Sequence, residues 1–149
     1  MEGGPPSRTR LRRPRSVDGV RVDRGKLWRY CKSAFGMSKH RAKKLGVPHQ
    51  IDAAYIDNLL IEQNYKCAVS GIVLEVSSDR FGGPFGPSLD RIEPALGYVP
   101  DNLRVVCQIV NVAMNSWGRD ALERLVSAMS KNRIKTKKET PPLVGNLSA

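Results

Sequence analysis

Apolar positions fall into helical and strand-like groups with clear punctuation between them. Residues 51–64 carry the clearest helical pattern. Ile56, Leu59, Leu60 and Gln63 share one face, Asp52 stands at the N-cap position, and Ile51 is placed to staple against the first turn. Upstream, Leu27, Tyr30, Cys31 and Ala34 follow i, i+3, i+4, i+7 spacing, which predicts helix over 23–45. Gly36 predicts a break, so this helix is expected in two pieces. Ser38 caps the second, and Gly46 followed by Pro48 closes it.

Beyond the central helix, 67–74 reads as a strand folded at a Ser70-Gly71 turn, and 76–87 as a loop rich in glycine and proline around Phe81 and Phe85. Residues 88–92 predict a strand, apolar at Leu89 and Ile92. Two prolines and Gly97 make 93–101 a turn, and 103–107 is the second strand, with Val105 and Val106 as its β-branched core. From Gln108 the spacing turns helical, with Ile109, Val112 and Ala113 on one face. After a break at 115–118, an amphipathic helix over 119–131 turns Leu122, Leu125, Val126 and Met129 inward, with a homodimer face as the other use of that stripe.

Composition narrows the class. With 149 residues, 40% hydrophobic and 6% aromatic, the chain can build one modest domain around a small aliphatic core. No apolar run reaches the ~18–20 residues of a membrane span and no signal peptide is apparent, so a cytoplasmic, intracellular protein is expected. The net charge is +11, and the excess is local: residues 1–50 hold 14 Lys and Arg against 3 Asp and Glu, whereas 51–149 hold 11 of each. Such a block points to a phosphate backbone as partner, a solubilising basic tail being the plainer reading. The expected divisions are a disordered Arg-rich arm at 1–22, a basic helical segment at 23–50, a core at 51–131 and a disordered Pro- and Lys-containing tail at 132–149. Cys31, Cys67 and Cys107 do not make a disulfide framework.

The strand–turn–strand–helix unit over 88–115 brings Asp90 close to Asn111. A carboxylate and an amide oxygen are hard donors that suit Mg²⁺ or Mn²⁺, ions that accept few protein ligands when a phosphate supplies the rest. The wording SLDRIEPALGYVPDNLRVVC, preceded by CAVSGIVL, resembles the phage and bacterial branch of the His-Asn-His (HNH, ββα-metal) nucleases. The resemblance covers roughly residues 46–117. It implies an α+β fold, a small ββα-metal core flanked by helices, and a metal-dependent endonuclease that nicks or cleaves double-stranded DNA. Asp90 and Asn111 then fall on the metal ligands, and Asn102 on the residue that holds the turn and positions the base. The basic run SKHRAKKLGVP resembles the helix that lies against DNA in that branch, with Arg41, Lys43 and Lys44 as contacts and Arg104 beside them.

Two departures stand out. The usual general-base His is replaced by Arg91, which stays protonated and suits phosphate clamping rather than proton abstraction. The base is then a metal-bound hydroxide, Glu93, His40 or His49, a choice the sequence leaves open. The paired cysteines that hold a structural zinc in many relatives are halved, with Ser70 and Val110 in the second places, which makes a poor zinc site. Both departures motivate an alternative: a catalytically inactive HNH-derived DNA-binding or packaging protein. A small RNA-binding protein is the third reading, and the absence of an aromatic stacking ladder speaks against it.

Overall fold

The computed structural model describes residues 16–76 and 83–139. The chain is α+β and divides into two compact units, one ending at Asn111 and one starting at Val112.

The first unit opens on a two-strand hairpin, β1 (Ser16–Val17) and β2 (Val20–Arg21), turned at Asp18-Gly19 with φ of 48° and 79°. Positive φ at both central residues is the turn that matches strand twist, and Asp-Gly supplies it cheaply. The ion pair of Asp18 with Lys66, at 2.8 Å, ties this hairpin to the chain after the second helix. These residues fall inside the segment expected to be disordered; the remainder of that arm, 1–15, lies outside the described residues.

Helix α1 (Arg24–Leu45) is continuous, not two pieces. Leu27, Cys31, Ala34, Ser38 and Ala42 are buried at spacings of 4, 3, 4 and 4, so one face seats the whole helix and carries it through Gly36. Asp23 caps it, accepting from the Lys26 N–H at 3.0 Å, and that bond holds the Asp23 carboxyl below its ordinary range. Gly46, at φ 66°, ends it. Ser38 is not a cap: it is buried and bonds His49. Helix α2 (Ala53–Glu62) starts at the expected cap, with Asp52 accepting from the Tyr55 N–H at 2.7 Å.

The segment 67–74 is not a strand. A single bridge joins Lys66 to Val73, and Cys67 N–H to Ile72 C=O closes a tight turn at 2.8 Å. The main hairpin is β3 (Pro87–Arg91) antiparallel to β4 (Leu103–Cys107), with Asp90 opposite Arg104 and Leu89 opposite Val105. Helix α3 (Gln108–Met114) follows directly. α1 and α2 pack together and against this hairpin, and Ile56, Leu60, Val105, Val106, Cys31 and Cys107 are its most deeply buried side chains. The outer edge of β4 is closed by a side chain. Gln63 Oε1 accepts from the Val105 N–H at 2.9 Å and its Nε2 donates to the Val105 C=O at 2.7 Å, so an amide replaces a neighbouring strand.

The second unit contains α4 (Gly118–Glu139), which runs eight residues past the expected end at 131. Leu125, Val126 and Met129, expected to turn inward, are exposed. Residues 140–149 of the expected tail lie outside the described residues. Among the described residues no helix is long and apolar enough to cross a membrane.

Candidate functional site

Because strand side chains alternate, Ser88 and Asp90 share one face of β3, and Arg104 stands opposite Asp90 on β4. Arg104 Nε donates to Asp90 Oδ2 at 2.7 Å, between two largely buried side chains. The start of α3 is pinned to the chain entering β3: the Gln108 N–H donates to the Gly86 C=O at 2.8 Å and the Ile109 N–H to the Pro84 C=O at 2.9 Å. One turn later, Asn111 Nδ2 donates to Ser88 Oγ at 2.8 Å. Asn111 therefore reaches the strand face that carries Asp90, two residues along, with Ser88 as the link.

The donors gathered on that face are the Asp90 carboxylate, the Asn111 amide oxygen and the Ser88 hydroxyl. Among the described residues no three of His, Cys, Asp or Glu cluster, so a metal held by protein carboxylates and imidazoles alone has no seat there. One carboxylate with neutral oxygens does fit Mg²⁺ or Mn²⁺, which keep waters and bind substrate phosphates. The Arg104 bond engages one of the two Asp90 oxygens.

Arg91 does not join this face. It is opposite Leu103 in register, its Nη1 donates to the Pro94 C=O at 3.1 Å, and its guanidinium lies 5.0 Å from the Tyr98 ring centroid. Tyr98 is itself buried, and its ring is 5.7 Å from that of His49, which in turn is 5.7 Å from Phe35. His49 Nε2 is 2.9 Å from Ser38 Oγ. Burial, followed by the charge of Lys39, lowers the His49 pKa, so this ring is a neutral packing element against α1. Glu93 caps the short 3₁₀ turn Pro94–Leu96 through the Ala95 N–H. His40 is exposed on α1.

Asn102 is buried and organises the connection between the strands. Its Oδ1 accepts from the Glu93 N–H at 2.9 Å, and its Nδ2 donates to the carbonyls of Glu93 at 2.9 Å and Gly97 at 2.8 Å. Cys67, Ser70 and Cys107 meet at the other end of the hairpin, where Cys107 is opposite Pro87. Cys67 Sγ accepts from the Cys107 N–H at 3.2 Å and the Ser70 N–H at 3.4 Å, and Ser70 Oγ is 3.8 Å from Cys107 Sγ. Burial pushes the Cys107 thiol up to about 11. At Cys67 burial also raises the pKa, but the hydrogen bonds from Ser70, Cys107 and Val69 more than offset it and leave the thiol below its ordinary value.

Arg41, Lys43 and Lys44 are all exposed on α1, but at about 100° per residue Arg41 lies about 160° around the helix from Lys43, so one flat partner cannot touch both. The expected set missed Ser88, Tyr98 and Gln63. Ser88 was findable from the strand period, since it stands two residues before Asp90. Nothing in the sequence pattern marks the Gln63 amide as a strand substitute. Set beside family models, curated proteins and solved structures, the chain has a match in none of the three.

Proposed function

We propose that the chain is a metal-dependent endonuclease of the HNH kind, acting on double-stranded DNA. The observation that supports this most directly is the link Asn111–Ser88 on the face of β3 that also carries Asp90. Asp90 and Asn111 would hold one Mg²⁺ or Mn²⁺, which supplies Lewis-acid polarisation of the scissile phosphate. Arg104 orients the Asp90 carboxylate and balances its charge. Asn102 keeps the turn that fixes the relative position of the two strands. Arg91 steadies the same turn from the opposite face and stands ready for phosphate only at the hairpin end.

A second reading is favoured by a specific observation. Arg91 points away from the Asp90 face, Glu93 is engaged as a cap, and His49 is packed against α1, so no base candidate among them is placed beside Asp90. A DNA-binding protein on an inactive nuclease scaffold accommodates this directly.

Nicking of supercoiled plasmid in Mg²⁺ or Mn²⁺, with Asp90→Ala and EDTA as controls, separates the two. Conversion to open circle by the wild type, lost in the variant and in EDTA, is the outcome expected of the nuclease. Binding by both proteins without cutting in either metal would replace it with the binding-protein reading.

A further inference from the structure

Helix α1 contains eight Lys or Arg and no Asp or Glu. Three of them, Lys32, Lys39 and Lys43, lie in one row along the helix. About 120° around the helix from the buried face of Leu27, Cys31, Ala34, Ser38 and Ala42 runs this row: Trp28, Lys32, Gly36, Lys39 and Lys43. All five are exposed, and the row is about 22 Å long. Lys39 is held along it by the Phe35 ring, 6.0 Å from its Nζ.

Gly36 is the unexplained member. Glycine in a helix interior is destabilising relative to alanine. Its φ is not positive, and a Cβ placed there meets nothing within 4 Å, so neither backbone conformation nor packing inside the chain calls for it. What glycine does provide is bare helix backbone midway along a row of lysines. That shape suits a rigid partner with closely spaced negative charge that approaches the helix axis. Duplex nucleic acid, with one charge per about 1.7 Å of axis, is such a partner. An anionic membrane is not, because a surface-lying helix inserts its apolar face, and that of α1 is already buried in the protein. Single strands are gripped by successive aromatics, and the row has only Trp28.

We infer that the row Trp28–Lys32–Gly36–Lys39–Lys43 is the track along which one phosphate backbone of duplex DNA lies, with Gly36 at the closest approach. The inference takes its partner class from the proposed function but does not depend on cleavage. Arg41 and Lys44 are off the track, which revises the contact set read from the sequence.

The test is fluorescence anisotropy of a labelled duplex, in EDTA, over a range of salt. Lys32→Ala and Lys39→Ala should each weaken binding and reduce the salt slope by about one. The double variant Arg41→Ala/Lys44→Ala should stay within about twofold of wild type, as expected for charges that touch no phosphate. Gly36→Leu should fold with an unchanged circular dichroism spectrum and a melting temperature no lower than wild type, yet bind about tenfold more weakly or worse, because a bulky side chain holds the backbone off the helix. Gly36→Leu binding like wild type, or Arg41→Ala/Lys44→Ala losing as much as the lysine variants, would overturn the track. So would the lysine variants releasing phosphatidylserine vesicles while leaving duplex binding intact. Track-dependent binding without plasmid nicking would remove the nuclease reading and leave this one standing.

Discussion

Asn102 and Glu93 are joined twice: the Asn102 side chain accepts from the Glu93 N–H and donates to the Glu93 C=O, both at 2.9 Å. A third bond, to the Gly97 C=O at 2.8 Å, makes the buried amide a template for the whole turn. Asn102→Ala would leave one N–H and two carbonyls without this partner and should cost about 2–4 kcal/mol. Asn102→Asp keeps the acceptor for the Glu93 N–H but sets a carboxylate against two carbonyls, because an ionised Asp cannot donate. It should therefore be no more stable than the alanine variant at neutral pH, and regain stability as the carboxyl protonates. Urea unfolding of the three proteins at pH 7 and pH 4.5 decides this. An Asp variant as stable as wild type at pH 7 would remove the amide from its organising role.

Gly97 is required by both its conformation and its surroundings. Its φ is 77°, and an added Cβ would lie 2.5 Å from the Pro48 C=O oxygen and 3.0 Å from the Pro48 nitrogen. The crowding follows from a parallel bridge in which the Tyr98 N–H donates to the Pro48 C=O at 2.9 Å and the Gln50 N–H to the Tyr98 C=O at 2.8 Å. Backbone has to move to admit a methyl group. Gly97→Ala should lose about 3 kcal/mol or more, a fall in melting temperature of roughly 10 °C or more. A melting temperature within about 2 °C of wild type would show that the bridge relaxes freely.

Local chemistry was legible where each residue argues for itself. Val105 and Val106 announce β4, the prolines and Gly97 announce the turn, and Asp52 announces the start of α2. The continuity of α1 was not, because Gly36 looks like a terminator. A glycine ends a helix only where the chain needs a left-handed residue, as at Gly46, and the burial of Cys31, Ala34, Ser38 and Ala42 along one face carries the helix on. Asp18-Gly19 is a hairpin signal that the surrounding Arg-rich composition obscures. At the candidate site the hydrogen bond from Asn111 to the strand that carries Asp90 could be anticipated from element order. The separation of Arg91 from Asp90 follows from strand alternation, which outweighs their adjacency in sequence.

His49 should make stability depend on pH. Burial among Phe35, Tyr98 and Ser38, with Lys39 nearby, lowers its pKa in the folded protein below the ordinary 6.5. The unfolded chain then binds the proton more readily, so the stabilising contribution is complete above pH 6.5 and is lost as pH falls from there through the folded value. Between pH 7.5 and 5.5 the urea midpoint of the wild type should decline, and that of His49→Phe should decline less. Equal slopes for the two proteins would assign the pH dependence to other groups.

The Asp90–Arg104 pair allows stability and metal binding to be separated. Arg104→Ala leaves a largely buried carboxylate without its Nε partner and should destabilise the fold by about 1–3 kcal/mol. Asp90→Asn/Arg104→Ala removes the stranded charge and should recover part of that loss, giving a coupling of about 1–2 kcal/mol in a double-mutant cycle. The same arginine places a positive charge beside the carboxylate that would hold a divalent cation. Arg104→Ala should therefore bind Mn²⁺ several-fold more tightly than wild type, roughly the 1 kcal/mol expected of removing one neighbouring charge at a partly screened site. Asp90→Asn should bind it more weakly. Isothermal titration with Mn²⁺, below the temperature at which either variant begins to unfold, reads this without reference to cleavage. If Arg104→Ala binds Mn²⁺ no better than Asp90→Asn, Asp90 is a structural partner of Arg104 and the metal assignment at this face fails.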